Sequence, residues 1–123
     1  MTIAELIAEV DAYKPNAYTD AEKLRWINEF DGKVYEDVIK QYDALEGETP
    51  YTYAPYTATS VAPLIRDPYQ VVYVLLMEWK IDYYNGEYAK YNNSATAFNE
   101  KYSEWRNYFN RTHHHKETKI RYF

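Results

Sequence analysis

The chain of 123 residues contains no cysteine, which excludes both a disulfide framework and thiolate chemistry. It also has no long apolar stretch. The longest run, VVYVLLM at residues 71–77, is far shorter than the roughly 20 residues that a membrane-spanning helix needs. Residues 1–5 have neither a basic segment nor an apolar core. We therefore expect neither a membrane span nor a signal peptide.

Histidine is almost as scarce, because the three histidines are adjacent at positions 113–115. No Ser-His-Asp arrangement can therefore be assembled from the rest of the chain. Adjacent histidines in a tail can hold a metal weakly, but no cysteine or carboxylate cluster lies near them in sequence to complete a site. The alternative is a solvated tail or an added tag, so we predict no metal site.

Catalytic signatures of other kinds are also missing. The three glycines stand alone at positions 32, 47 and 86, so there is no phosphate-binding loop. The acidic residues Glu29, Asp31, Glu36 and Asp37 are interpreted as a solvated helix face and not as an acid–base pair. We predict no enzyme activity and no cofactor.

Charge is unevenly distributed along the chain. Residues 1–48 hold twelve acidic and five basic residues, whereas residues 49–123 hold seven acidic and nine basic ones. An acidic first half argues against a general nucleic-acid binder, which needs a basic face. The asymmetry favours head-to-tail contact between copies, with an ordinary solvated surface as the alternative.

The periodic apolar positions and start signals predict an all-α fold. Capping boxes begin two helices, at Thr2 with Glu5 and at Thr19 with Glu22, and Asp67-Pro68 reads as a third start. We predict a small bundle of about four helices, with a long extended loop between the second and third. The helices are expected near 2–13, 19–43, 68–84 and 87–110, in one domain spanning 1–111, followed by a flexible basic tail at 112–123.

Aromatic residues are concentrated in two places. The loop at 44–66 carries Tyr51, Tyr53 and Tyr56, which either dock on a partner or pack back on the helices. A stripe at spacings of four and three follows in the last helix, and it is either an interface or core packing. Its members are Tyr84, Tyr88, Tyr91, Ala95, Phe98, Tyr102, Trp105 and Phe109.

Several strings, in this order and spacing, resemble the head–tail connector (adaptor) family of tailed phages and prophages of Gram-positive bacteria. They are TIAELI at 2–7, DAYKPNAY at 11–18, KLRWINEFDGKVYE at 23–36, PY at 68–69, VY at 72–73, NGEYAKYNNS at 85–94 and YFNRTH at 108–113. The resemblance covers nearly the whole chain and is weakest in residues 44–66 and in the tail.

The resemblance implies a mostly helical structural protein of the virion neck, made in the host cytoplasm and without catalytic residues. Its partners would be the portal protein and other neck or tail proteins, and about twelve copies would form a ring beneath the portal. DNA would pass through the channel without sequence-specific binding. The alternative is a small DNA-binding or regulatory phage protein, which would need a basic recognition helix.

Two segments are the predicted contacts with partners. The loop tyrosines offer large amphipathic contact area at low entropy cost. The basic tail would order on an acidic portal surface or beside DNA. The predicted partner-binding residues are Tyr51, Tyr53, Tyr56, Arg111, Lys116, Lys119 and Arg121. If the tyrosines prove to be core, the interface is expected on the outward faces of the aromatic-rich C-terminal helices.

Overall fold

A computed structural model describes residues 1–113, and within that range the protein has four α-helices, one 3-10 turn and no β-strand. The α-helices are α1 (Ile3–Tyr13), α2 (Asp20–Asp37), α3 (Val71–Tyr84) and α4 (Tyr88–Thr112), and the 3-10 turn is Ile39–Gln41. The predicted all-α bundle is confirmed, as is the long segment between the second and third helices. Within the same range, no helix is both long enough and apolar enough to cross a membrane.

Both predicted capping boxes are present. The Thr2 hydroxyl accepts a hydrogen bond from the Glu5 backbone N–H, and the Glu5 carboxylate accepts one from the Thr2 N–H. Thr19 and Glu22 repeat the arrangement at the start of α2. Each box satisfies two backbone donors that a helix start otherwise leaves unpaired, which fixes where these helices begin.

Helix α2 ends earlier than the predicted residue 43. Its last residue is Asp37, and Val38 leaves the helical region at φ −125° and ψ −64°. Val38 and Ile39 are adjacent β-branched residues with low helix propensity, and both are buried. In a straight helix, two neighbouring side chains point about 100° apart. Leaving the helix here lets the side chains of Val38 and Ile39 both reach the core.

Helix α3 lies at the centre of the bundle and contacts α1, α2 and α4. It is apolar on nearly every side, as expected for a helix surrounded by protein. Its buried residues are Val72, Tyr73, Val74, Leu76, Met77, Ile81 and Asp82. The extensive α3–α4 packing makes these two helices the largest unit of the fold.

The predicted start of α3 at Asp67-Pro68 is wrong. The helix begins at Val71, with Gln70 as its N-cap, and the Asp67-Pro68 peptide bond is cis. The chain first makes a tight turn in which the Tyr69 N–H donates to the Arg66 carbonyl at 3.0 Å. That turn brings the chain out of the buried Leu64–Ile65 segment before helical hydrogen bonding begins.

The predicted break at Asn85-Gly86 is confirmed. The Asn85 N–H still donates to the Ile81 carbonyl at 2.9 Å, and Gly86 then adopts a positive φ of 75°. A positive φ favours glycine because it has no Cβ to clash with the backbone. Helix α4 begins at Tyr88 and runs without interruption to Thr112.

The end of α4 corrects the predicted boundary of the tail. Thr112 is the last helical residue and His113 is buried, so neither belongs to a solvated tail. Arg111 lies in the last turn of α4 and is exposed. The predicted contacts Lys116, Lys119 and Arg121 lie outside the described residues, as do His114 and His115.

The long segment at 42–70 lies against the bundle and takes part in its hydrogen bonding. The carbonyls of Val61 and Thr59 accept from the backbone N–H groups of Ile3 and Ala4, at 2.9 and 2.8 Å. These two donors belong to the first turn of α1, where no intrahelical acceptor exists. The loop therefore completes the N-terminus of a helix that is distant from it in sequence.

Candidate interaction surfaces

Asp31 is fully buried, so its predicted place on a solvated helix face is wrong. Its Oδ1 accepts a hydrogen bond from the Tyr73 hydroxyl at 2.7 Å. Its Oδ2 accepts from the Tyr56 hydroxyl at 2.6 Å and from the Leu64 N–H at 3.1 Å. One carboxylate thus joins α2, α3 and the loop. Glu29, by contrast, is exposed, as predicted.

Burial raises the pKa of Asp31 to about 6, against the opposing effect of hydrogen bonds from Tyr56, Tyr73 and the Leu64 N–H. Burial, and then the charge of Asp31, raise the pKa of Tyr73 well above its usual value. A raised carboxyl pKa is also typical of catalytic acids. Asp31 has no exposed surface, however, so no substrate reaches it, and its role is to hold the loop on the bundle.

Two of the predicted partner-binding tyrosines are fastened to Asn28 of α2. The Tyr53 hydroxyl donates to the Asn28 backbone carbonyl at 3.0 Å. The Asn28 side chain accepts from the Tyr56 N–H at 2.7 Å and donates to the Tyr56 carbonyl at 3.1 Å. The Asn28 side chain therefore both donates to and accepts from the loop backbone. This pairing fixes the position of the loop on α2.

The third loop tyrosine, Tyr51, attaches the loop to the end of α4. Its ring packs edge-on against Phe109 at 5.5 Å, and the Arg66 guanidinium lies 3.7 Å from its centroid. Burial raises the pKa of Tyr51. The contacts of all three tyrosines are those of the packing alternative, and their use by a partner stays a prediction.

His113 contacts the same end of α4 and the same loop as Tyr51. Its ring stacks on Phe109 with centroids 3.8 Å apart, and its Nε2 lies 2.9 Å from a Glu48 carboxylate oxygen. The Thr112 hydroxyl lies 3.0 Å from the Nδ1 of the same ring. His113 therefore ties the end of α4 to the loop. Among residues 1–113, no group of three or more histidine, cysteine or acidic side chains is placed to hold a metal ion.

The aromatic stripe of α4 divides into a buried and an exposed part. Trp105 and Phe109 are buried, and Phe98 is half-buried between Phe30 and Trp79. This end of the stripe is core, as its packing alternative predicted. Tyr84 and Tyr88, at the other end, are 54% and 64% exposed. The stripe therefore leaves the core as it approaches the α3–α4 turn.

The exposed tyrosines at this end, together with the half-buried Tyr18 beside them, form what we call the hairpin surface, defined as Tyr18, Tyr83, Tyr84 and Tyr88. Tyr84 stacks on the buried Trp26 with centroids 5.9 Å apart. The Tyr18 hydroxyl donates to the Asn85 side chain at 2.8 Å, which links the segment before α2 to the α3–α4 turn. Large amphipathic side chains that are held in place by packing and hydrogen bonds are typical of contact surfaces.

A partly buried ion pair involves Asp82, the residue that precedes Tyr83 of the hairpin surface. The Lys14 Nζ lies 2.7 Å from a carboxylate oxygen of Asp82, which has no exposed surface. The Ser94 hydroxyl donates to the same carboxylate at 2.6 Å. These contacts tie the end of α1 to α3 and α4, close to the α3–α4 turn that carries the tyrosines.

Comparison with known proteins adds no relative. No protein-family model, no curated protein and no solved structure matches the chain.

Proposed function

We propose that this chain is a structural subunit of the phage neck, a head–tail connector that acts by assembly and not by turnover. About twelve copies would form a ring between the portal and the tail components. The protein would be made in the host cytoplasm and would end in the virion. Its partners are the portal protein, other neck or tail proteins and neighbouring copies of itself.

The observation that carries the proposal is that two of the segments that resemble the connector family lie side by side in the fold. DAYKPNAY at 11–18 and NGEYAKYNNS at 85–94 are distant in sequence but lie side by side at the hairpin surface. Tyr18 contacts Asn85, and Lys14 and Ser94 share the carboxylate of Asp82. Two strings of the resemblance thus build one surface feature.

The exposure of this surface supports a role in assembly. Tyr83, Tyr84 and Tyr88 are 48%, 54% and 64% exposed, so much of their area remains available for contact. Tyrosine is favoured at interfaces because it covers a large area with few rotatable bonds. If the loop tyrosines are core, the sequence predicts the interface on the outward faces of the C-terminal helices, which carry Tyr83, Tyr84 and Tyr88.

The polar groups of the bundle support a structural role as well. Asp31 is sealed by Tyr56 and Tyr73, and the Asp82 carboxylate is occupied by Lys14 and Ser94. The hydrogen bonds of both carboxylates join parts of the bundle to one another. A catalytic acid would instead face a cleft that a substrate can enter.

The alternative of a DNA-binding protein gains no support from the described helices. Helix α4 carries four basic and two acidic side chains, and α2 carries three basic and six acidic ones. A recognition helix needs a concentrated basic face to neutralise phosphates. We therefore propose contact with DNA only as passage through the channel of the assembled ring.

A binding experiment with the portal protein of the same phage genome tests the proposal. The subunit and the portal are mixed and separated by size-exclusion chromatography. The proposal predicts that the two proteins co-elute as one large species at physiological salt. Failure to co-elute with the portal or with any neck protein of that genome would count against it. Retention on heparin at the same salt would favour the DNA-binding alternative.

A further inference from the structure

A recess lies between α2 and α4, and we call it the α2–α4 groove. Both helices pack on α3, and the rings of Phe98 and Tyr102 on α4 each lie 5.4 Å from the ring of Phe30 on α2. The groove has a volume of about 230 Å³. Its lining consists of four apolar or aromatic side chains, those of Phe30, Val34, Phe98 and Tyr102, and of three polar ones, those of Lys33, Asp37 and Asn99.

The groove matches one aromatic side chain in size and in chemistry. A cavity of about 150 Å³ holds a benzene ring, so the groove has room for a phenol ring. Its three aromatic residues are half-buried, which leaves ring edges and faces for a further ring to pack on. The exposed Asn99 amide also lines the groove, and it offers a hydrogen-bond partner to a phenol hydroxyl. These properties fit a tyrosine.

The exposed tyrosine with the freest ring of the hairpin surface is Tyr88. Tyr84 stacks on Trp26, and Tyr83 packs edge-on against Tyr84 at 5.3 Å. Tyr88 is 64% exposed at the first residue of α4. Helix α4 is uninterrupted from Tyr88 to Phe98, a rise of about 15 Å, so Tyr88 cannot reach the groove of its own copy. A Tyr88 side chain that fills the groove therefore belongs to a second copy.

The charges beside Tyr88 and those of the groove are complementary. Glu87 and Lys90 flank Tyr88, and both are exposed. Lys33 and Asp37 line the groove, and both are exposed as well. Each pair contains one cation and one anion, separated by about 4.5 Å of helix rise in the first pair and about 6 Å in the second. Opposite charges can therefore meet in both positions when the two surfaces come together.

We propose that Tyr88 of one copy occupies the α2–α4 groove of the next copy. Its ring packs on the aromatic lining, and the charges beside it pair with those of the groove. The two surfaces differ, so the contact is heterologous, and its repetition closes a ring where the rotation between copies allows closure. The ring rests on the function proposed above, whereas the contact itself uses two surfaces of this chain alone.

Site-directed cross-linking tests the contact, because a chain without cysteine can be given a single thiol at a chosen position. Lys33→Cys and a tagged Glu87→Cys are mixed at high concentration with a short bis-maleimide linker. We expect the main product to join position 33 of one copy to position 87 of another. Products 33–33 and 87–87 in the amounts that random pairing gives would overturn the proposal. So would a yield no higher than that of Ala8→Cys, an exposed position on α1, mixed with Glu87→Cys.

Two tyrosine variants test the residue that fills the groove. Tyr88→Ser on the Glu87→Cys chain is expected to lower the yield by about tenfold or more, because it removes the ring at the centre of the contact. Tyr13→Ser on the same chain is the matched control, since Tyr13 is 66% exposed at the end of α1, and it is expected to leave the yield unchanged. Equal yields from the two variants would overturn the role of Tyr88.

A charge swap tests the orientation of the two copies. Asp37→Lys on the Lys33→Cys chain places a cation opposite Lys90 and is expected to lower the yield by about threefold. Lys90→Glu on the Glu87→Cys chain is then expected to restore the yield. A yield that stays low after the second change would overturn the proposed orientation.

The cross-link needs no portal protein, so its outcome is separate from the test of the proposed function. A 33–87 product from a chain that binds no portal would keep this contact and count against the connector function. Portal binding without the 33–87 product would overturn this contact and leave the connector function standing.

Discussion

The Tyr73 hydroxyl donates a hydrogen bond of 2.7 Å to the Asp31 carboxylate, and neither side chain has any exposed surface. The same hydroxyl accepts from the Ile65 N–H at 2.8 Å. The two residues lie 42 positions apart, on α3 and α2, and Ile65 belongs to the loop. This pair therefore joins the three parts of the chain that no local interaction brings together.

Replacing Tyr73 with Phe is expected to lower the free energy of unfolding by about 2–4 kcal/mol. The change leaves the buried Ile65 N–H without its acceptor and removes one donor from Asp31, and each unsatisfied buried group costs about 1–3 kcal/mol. Urea denaturation measures the effect. The control is Tyr88→Phe at an exposed position, where a change under about 0.5 kcal/mol is expected. Equal effects of the two substitutions would contradict the role of the pair.

The cost of Asp31→Asn is expected to depend on pH. Because burial raises the pKa of Asp31 from 3.8 to about 6, this group stabilises the fold fully below about pH 4. That contribution is lost as the pH rises through about 6. Asparagine does not titrate, so the difference in unfolding free energy between wild type and variant should shrink from pH 4 to pH 7. The decrease over this range should be about 2 kcal/mol.

Urea titrations of both proteins at pH 4, 5, 6 and 7 measure that difference. Glu29→Gln, at an exposed position of the same helix, supplies the background. A substitution cost that is constant over this range, or that grows toward pH 7, would show that Asp31 is not held in the buried environment described here.

The three loop tyrosines are expected to contribute to stability. Replacing Tyr51, Tyr53 and Tyr56 together with serine should lower the unfolding free energy by at least about 3 kcal/mol, since it removes two partly buried hydrogen bonds and the packing on Phe109. Thermal unfolding followed by circular dichroism measures it. An unchanged melting temperature would contradict this packing role and favour the alternative that these tyrosines dock on a partner.

Lys14→Ala is expected to destabilise the protein by about 2–4 kcal/mol, because it leaves the buried Asp82 carboxylate without its cation. Lys40→Ala is the matched control, since Lys40 pairs with Glu36 at an exposed i,i+4 position. A pair of that kind contributes about 0.5 kcal/mol or less. Chemical denaturation of both variants checks the contrast, and similar losses would mean that Asp82 is hydrated.

Features that depend on neighbours in sequence were predictable. The capping boxes at Thr2 and Thr19 are complete within four residues, and Asn85-Gly86 breaks the helix by its own backbone preferences. The period placed the aromatic stripe on one helix face, but it left open whether that face is core or interface. The turn at 66–69 was not predictable, because the Asp67-Pro68 signal is the same whether or not a helix follows at once.

The burial of Asp31 could not be deduced from its neighbours. Glu29, Asp31, Glu36 and Asp37 together resemble a solvated face, and the partners of Asp31 lie 25–42 residues away. The same holds for His113, whose partner Glu48 is 65 positions distant. Such groups are identified only when the path of the loop is known. The exposure of Tyr84 and Tyr88 likewise depends on where the other helices end.

We propose that the chain assembles on a portal through the hairpin surface. Electron microscopy of the phage's portal protein mixed with the subunit tests it most directly, with Tyr83→Ser/Tyr88→Ser as the paired sample. We expect the wild-type subunit to add a coaxial ring to one end of the portal. The variant should keep its helical circular dichroism and leave the portal bare. Portal particles without added density in the wild-type sample would contradict assembly on the portal, and a ring unchanged in the variant would contradict the role of the hairpin surface.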